Sequence, residues 1–394
     1  MLAGAAIGGG LAIGWALWPR AYPPNLVAAE GERIFNAWLK IGTDGHVTVV
    51  VPQVEMGQGS YTVIPQIIAD ELGADWRTIA VEPAPLSPAY ANTVFADEWH
   101  EGWWPKEKVQ ATGGSSTVRG YEFVARQAGA AARALLCKAA AKRWDADWQA
   151  CDTEGGFVTR GDDRLRFGEL VEDAARMSLP KDIPLRTGNG VDRLSGRGMN
   201  RLDIPAKLDG SANFAADIRL PDMVYASIRQ GPLGDSILKS VDKAAADRIF
   251  GVLEIVEHER WVAAIATNWW AANRALDAMH PRFFNRDRFS GDRSIDRALV
   301  NALGVEGTRV AEAGDVDAAL ENARVSTAEY SVGLAPHAAI EPLSATATLV
   351  DGRLQLWIAT QLPGLARDAA ARAIGIDPED VTIHPMLVGG SFGR

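Results

Sequence analysis

Two stretches of this chain, one near each end, read as strand, loop, helix and strand, and that pattern narrows the possible folds more than any other feature. The first opens with the β-branched run VTVVV at 47–51. Ile64, Ile67, Ile68 and Leu72 then recur at helical spacing, which predicts a helix over 60–72 with Gly73 as its C-cap. Residues 77–82 predict a strand that Pro83 ends. The second stretch opens with a strand over 353–359, continues with a helix over 364–374 closed by Gly375, and returns as a strand over 381–387. A strand–helix–strand connection within one sheet is a right-handed crossover and lays a helical layer on the sheet. All-helical and all-β architectures are excluded, and the fold class is α+β.

Three glycine-bearing loops accompany these units. In VPQVEMGQGSYT (51–62), Gly57 and Gly59 bracket Gln58 between the first strand and its helix. Strand, glycine loop and helix is a shape that brings bare backbone N–H groups up to an anionic or polar ligand. The second loop, ATGGSSTVRG (111–120), opens an Ala-rich helix over 121–144. Its Thr112, Gly113, Gly114 and Ser115 either cap that helix or hold a phosphate. The third loop, Gly389, Gly390, Ser391, Phe392, Gly393 and Arg394, follows the last strand. A glycine loop there normally turns into a helix or lays backbone against a ligand. A sheet ending on it lacks its next layer, so the expectation is one part of a larger protein.

The remaining sequence organises around these units. Residues 36–41 and 46–51 form a hairpin about Thr43-Asp44-Gly45. Residues 87–108 are irregular, and Trp99, Trp103 and Trp104 there read as a packed loop. Residues 145–198 form a connecting region with a short hairpin (156–167) and a helix over 167–177. Residues 201–279 read as a separate α+β module, with strands over 224–230, 252–257 and 261–266 and a helix over 269–279. Residues 282–297 are charged and loop-like, and 325–332 and 345–349 alternate as strands do.

The chain's 394 residues favour two or three domains, and 47% hydrophobic with 23% charged residues is a globular balance. A formal charge of −10 argues against a nucleic-acid binder, which needs a basic face. Cys137 and Cys151 give no disulfide framework and no metal cluster, and Cys137, in an Ala-rich helical run, reads as a buried, inert thiol. Residues 2–18 are uncharged and resemble the apolar part of an export signal or anchor. The expected location is periplasmic or membrane-associated on the periplasmic face, with a cytoplasmic protein carrying an apolar arm as the alternative.

Residue types alone disclose no catalytic set. The six His show no metal spacing, and no P-loop or GxSxG motif occurs. His337 and Glu341, four residues apart in HAAIE, read as a structural pair before an acid/base pair. Gln361 is either the first residue of a helix or a donor aimed at a cofactor. What remains is a glycine-lined site for a large polar or phosphorylated ligand that brings its own chemistry. A nucleotide-dependent dehydrogenase is disfavoured, because no GxGxxG opens a helix after a strand.

VEMGQGSYT, ADELGADW, TGGSST, RQAGAAARALL, RLDIPAKLDGSANFAADIRLPDM, HAAIEP, ATQLPG and GGSFGR, in this order, resemble the molybdenum-cofactor-binding large subunit of the xanthine dehydrogenase/aldehyde oxidase family. The resemblance covers nearly everything after residue 30 and is strongest to the branch of the isoquinoline oxidoreductase beta subunit and membrane-bound aldehyde dehydrogenases. It implies an apolar segment (1–30), a molybdopterin-binding segment (31–150), a connection (151–198), an α/β-hammerhead module (199–297) and a second molybdopterin-binding segment (298–394) that leaves the fold incomplete. It implies a hydroxylase that puts a water-derived oxygen into an aldehyde or N-heteroaromatic substrate. The cofactor would be molybdopterin cytosine dinucleotide with molybdenum. Electrons would leave through a small subunit carrying [2Fe-2S] clusters towards a cytochrome c or other acceptor.

Carried over by position, Gly57, Gln58 and Gly59 would contact the cofactor, as would Thr112, Gly113, Gly114 and Ser115. Gln361 would stand near the pocket. Gly389, Gly390, Ser391, Phe392, Gly393 and Arg394 would lie beside the molybdenum. Ser391 replaces the family's usual third glycine, and residues 282–297 match poorly. The family's catalytic glutamate belongs to a GxGE motif beyond Arg394. The expectation is therefore the N-terminal part of a hydroxylase large chain, inactive without a missing C-terminal half. The alternative is a non-catalytic remnant that acts as a binding or assembly partner.

Overall fold

A computed structural model describes residues 23, 25–98, 108–187, 193–286, 291–390 and 392. The apolar residues 2–18, Trp99, Trp103, Trp104, Ser391, Gly393 and Arg394 lie outside them. The mixed α+β class holds, with 35% helix and 22% strand. The chain divides into two units, 1–218 with 335–394, and 219–334.

In the first unit β1 (Glu32–Asn36), β2 (Leu39–Gly42) and β3 (Val47–Val51) make an antiparallel meander. Helix α1 (Ser60–Leu72) then returns the chain so that β4 (Ile79–Pro83) pairs parallel to β3. Ile64, Ile68 and Leu72 bury the inner face of α1, and the left-handed Gly73 ends it by donating its N–H to the Ala69 carbonyl at 2.8 Å. After the short helix α2 (Thr93–Glu98), the long α3 (Ser116–Trp144) lies along α1. Their approach depends on Gly129, where a Cβ would stand 2.6 Å from the Ile68 carbonyl oxygen.

The expected connecting region contributes to this same core. Strands β5 (Asp152–Glu154), β6 (Phe157–Arg160) and β7 (Asp163–Arg166) form a small sheet, and α4 (Phe167–Ala174) buries Phe167, Leu170 and Val171. Residues 183–187 and 193–197 are then pinned by ion pairs and hydrogen bonds. The fully buried Glu71 receives Arg126 at 2.7 Å and the Arg186 N–H at 2.9 Å, while Asp70 receives Arg193 and the Leu194 N–H. A short helix α5 (Ile204–Asp209) follows.

The second unit contains β8 (Tyr225–Gln230), β9 (Ser236–Ser240), α6 (Lys243–Ala246), β10 (Val252–His258), β11 (Trp261–Ala266), α7 (Trp269–Met279), β12 (Arg282–Asn285), α8 (Asp292–Ala302) and α9 (Val316–Leu320). Its sheet order is β10-β11-β8, and Ala264 and Ala266 of β11 pack with Ala272, Leu276 and Met279 of α7. The boundaries differ from 199 and 297, because residues up to 218 belong with the first unit. Two local readings are corrected. Residues 282–297 are not loop throughout: β12 pairs with β9, Phe284 opposite Ile237, and α8 begins at Asp292. Residues 325–332 alternate but form no strand; they are exposed, so alternation there buries no face.

Back in the first unit, β13 (Ala345–Val350) pairs antiparallel with β14 (Arg353–Ile358), and α10 (Pro363–Ile374) brings β15 (Val381–Pro385) parallel to β14. This repeats β2-β3-α1-β4 in detail. Gly375 caps α10 as Gly73 caps α1, and Asp377 caps the following turn as Asp75 does. The closing prolines also correspond, with Pro385 opposite Ile358 and Pro83 opposite Val51.

Candidate active site

The loops that leave the carboxyl ends of β3, β14 and β15 meet around a cavity of about 820 Å³ within the first unit. Open α/β sheets characteristically present ligand sites at this end of their strands. Gly57 and Gln58 line the cavity, as do Thr112, Gly113, Gly114 and Ser115, then Gln361, and then Gly389, Gly390 and Phe392. Gly59 is not part of the wall. Sequence reasoning missed Lys207 and Phe214, which also line it.

The Gly57–Gly59 loop differs from the expectation of bare N–H groups. The carboxylate of Glu55, fully buried, accepts from the N–H groups of Gly57 (2.9 Å), Gly59 (3.0 Å) and Tyr61 (2.9 Å) and from the Ser60 hydroxyl (3.1 Å). An anion of the chain thus already occupies the N-terminus of α1. Gln58 folds back on the same loop: its Oε1 accepts from Met56 N–H and its Nε2 donates to the Val54 carbonyl. With the Met56, Gly57 and Gly59 amides satisfied inside the loop, the wall offers chiefly its glycine faces.

The N-terminus of α3 is arranged the other way. No side chain caps it, and the N–H groups of Gly113, Gly114 and Ser115 have no acceptor among the described residues. Ser115 sits in the left-handed region at φ 50°, which costs about 1–2 kcal/mol for a non-glycine residue. Beneath it the turn is tied down: Asn92 Nδ2 donates to the Ser116 hydroxyl at 2.6 Å, and that hydroxyl donates to the Gly113 carbonyl at 2.6 Å. The free end of a long helix dipole faces the cavity with open donors.

Gln361 fastens the second repeat to this turn. Its carbonyl accepts from Thr112 N–H at 2.9 Å, and its Nε2 donates to the Thr112 carbonyl at 2.8 Å. One of its two amide hydrogens is therefore committed within the chain. Glu341 does the same for the last loop. Its carboxylate accepts from Gly389 N–H at 2.9 Å and Ala216 N–H at 3.2 Å, and a Cβ at Gly389 would stand 2.8 Å from the Glu341 Cβ. Its partners are backbone amides, and no bond joins it to His337 among the described residues. The Val388 N–H donates to the Glu55 carbonyl, so the first and last loops are joined directly.

A line of alternating charges runs under the wall. Arg201 donates to Glu55 (2.9 Å), to the Gly57 carbonyl (2.8 Å) and to both oxygens of Asp203, and Lys207 donates to Asp203 at 2.5 Å. Partial burial raises the Asp203 pKa, but the Arg201 and Lys207 hydrogen bonds outweigh it and hold the carboxyl down at about 2. The sequence signals that could have found these residues are a carboxylate two residues before Gly57, an acceptor for the loop amides, and Asp203 four residues before Lys207 on one helical face. Elsewhere, burial pushes the Cys137 thiol up to about 12, as an inert core thiol requires. Among the described residues no His/Cys/Asp/Glu group could hold a metal, and no helix is long and apolar enough to cross a membrane.

Among the described residues the chemistry of the cavity wall is thus open N–H donors, hydroxyls, glycine faces and the Lys207 cation, with Glu55 and Glu341 turned onto backbone amides and Asp203 onto Arg201 and Lys207. That set fits an anionic, hydrogen-bond-rich group such as a phosphorylated pterin. Comparison with known proteins agrees. Two models described as molybdopterin cofactor-binding domain match residues 5–95 and 304–394, and each match contains one β-β-α-β repeat. The chain is thus similar to the molybdenum-cofactor-binding large subunits of the xanthine dehydrogenase/aldehyde oxidase family.

It is 29% identical to the beta chain of isoquinoline 1-oxidoreductase from Brevundimonas diminuta, over 91% of this chain and 51% of the relative. It is 28% identical to the membrane-bound aldehyde dehydrogenase [pyrroloquinoline-quinone] of Gluconacetobacter polyoxogenes, over 91% of this chain and 46% of that protein. It is also 28% identical to a nicotinate dehydrogenase subunit of Pseudomonas putida, over 94% of this chain and 31% of the relative. The chain spans about half or less of the length of these curated relatives.

Proposed function

We propose that this chain forms the molybdopterin cradle of a molybdenum hydroxylase that oxidises an aldehyde or an N-heteroaromatic compound. The observation that carries the reading is the cavity where loops of both β-β-α-β repeats converge with open donors and the Lys207 cation. The names of the relatives, which include an isoquinoline oxidoreductase, an aldehyde dehydrogenase and a nicotinate dehydrogenase, supply the substrate class. The cofactor form is molybdopterin cytosine dinucleotide, and it supplies the two-electron redox chemistry when bound. Gly113, Gly114 and Ser115 hold its anionic part through backbone N–H groups. Gly57, Gly389 and Gly390 admit its flat faces, and Phe392 excludes water beside it.

The chain's own carboxylates orient loops and are not the general base. Glu55 accepts five hydrogen bonds within the chain and so has no lone pair left for a substrate proton, and Glu341 is spent on positioning, holding the last loop through the Gly389 and Ala216 amides. The base is supplied by polypeptide outside these residues. Electrons pass to a partner with [2Fe-2S] clusters and on to a cytochrome c or similar acceptor. The apolar run at residues 2–18 supports export or membrane attachment on the periplasmic side.

The test is substrate-dependent dye reduction by the complex purified from its native host by a tag on this chain. Oxidation of an aldehyde or N-heteroaromatic compound, with molybdenum and iron co-purifying, is expected. A complex that holds molybdopterin yet oxidises neither class would refute the substrate assignment.

A further inference from the structure

Lys207 is the only ionisable side chain among the described residues that line the cavity, in a chain whose formal charge is −10. It stands at the end of the series Glu55, Arg201, Asp203, Lys207, whose charges alternate and cancel. The members are not equally held. Glu55 has three backbone N–H donors and a hydroxyl besides Arg201. Arg201 is fixed at Glu55, at the Gly57 carbonyl and at Asp203. Asp203 has two Arg201 nitrogens at 2.9 and 2.7 Å. Among the described residues Lys207 has one bond, to Asp203, and its side chain is 31% exposed. If Lys207 leaves, Asp203 keeps its Arg201 fork and no buried charge is stranded, so departure is cheap for Lys207 alone.

We propose that Lys207 is the exchangeable counter-ion of the cavity: it pairs with Asp203 in the free chain and turns to a phosphate or pyrophosphate oxygen of the bound ligand. The inference rests on the reading of the cavity as a cofactor cradle and adds a specific residue to it. A lysine suits the part, because its ammonium is a point charge on a flexible stem, whereas the forked Arg201 is built to stay. The exchange also gives ligand binding a structural consequence. Once Lys207 withdraws, Arg201 is the cation left on Asp203, so the arginine that holds the Gly57 carbonyl is tied more firmly beneath an occupied site.

The probe is inorganic pyrophosphate, titrated calorimetrically into the full-length chain at low salt. Wild type is expected to bind, with affinity falling as salt rises. Lys207→Gln should weaken binding about tenfold or more, Lys207→Arg by less than about threefold, and Lys181→Gln, remote from the cavity, should not change it. As a second measurement free of substitution, pyrophosphate should slow acetylation of Lys207 in wild type. Equal affinity of wild type and Lys207→Gln, absence of binding to wild type, or unchanged acetylation each overturns the proposal. Pterin content of the same wild-type preparation reports separately on the cradle itself. Wild type that retains pterin while Lys207→Gln binds pyrophosphate normally refutes the role of Lys207 and leaves the cradle standing.

Discussion

Replacing Glu55 with Gln probes the element that shapes the cavity wall. The Oε1 of glutamine can still accept from Gly57, Gly59 and Arg201, but its amino group faces the Tyr61 N–H and the Ser60 hydroxyl that the carboxylate now satisfies. The hydroxyl can rotate and accept; the Tyr61 N–H cannot. One buried N–H left unsatisfied costs about 1–3 kcal/mol, and loss of charge assistance in the surviving bonds adds a similar amount. The sum is about 2–6 kcal/mol, concentrated in the loop and the first turn of α1. At 1.4 kcal/mol per factor of ten, opening of that segment becomes more frequent by about thirtyfold or more. Hydrogen exchange read by mass spectrometry on peptides covering 54–72 measures this directly. Peptides from the second unit serve as the internal reference. Exchange within about threefold of wild type would refute the claim that Glu55 holds the loop.

Three further outcomes follow from the packing and charge of the first unit. Glu71→Ala should lower stability by about 3–5 kcal/mol in urea titration, because it strands Arg126 and Arg133 beside a buried vacancy; a loss below about 1 kcal/mol would show that the network is ornamental. Gly129→Val should separate α1 from α3 and cost about 1–3 kcal/mol in the same assay, since the new Cβ would meet the Ile68 carbonyl; an unchanged midpoint would mean that the helices are not in close contact. Asp203, depressed from 3.8 to about 2, contributes stability that is fully present above about pH 4 and is lost as pH falls through about 2. Exchange protection of residues 199–210 should decline across that window in wild type and show no such step in Asp203→Asn; the same profile in both would remove Asp203 from the account.

Local pattern carried much of this fold. β-Branched runs, apolar residues at i, i+3 and i+4, and left-handed Gly73 and Gly375 were enough to locate both strand–helix–strand units, since those signals are short-range. The failures were long-range. Phe283 and Phe284 lie in a charged stretch and become strand only because β9 offers an edge, and 325–332 alternates yet buries no face. The glycine loops were legible as a ligand site, but their inner chemistry was not. Glu55 and Arg201 are 146 residues apart in sequence, and nothing in either neighbourhood announces the other. Without that pair the Gly57–Gly59 loop reads as a set of free donors. The structure assigns the free donors to the α3 N-terminus instead, where sequence alone allowed an ordinary cap.

The central claim is that loops of the two β-β-α-β repeats together form a molybdopterin cradle. The most direct measurement is the pterin and molybdenum content of the full-length chain purified from a host that makes the cofactor, by fluorescence of the oxidised pterin and by elemental analysis. Folded wild type is predicted to carry pterin, and Gly389→Val, which drives a side chain into Glu341 and displaces the last loop, to carry about a tenth as much or less. Folded wild-type chain with no pterin, or equal pterin in wild type and Gly389→Val, would contradict it.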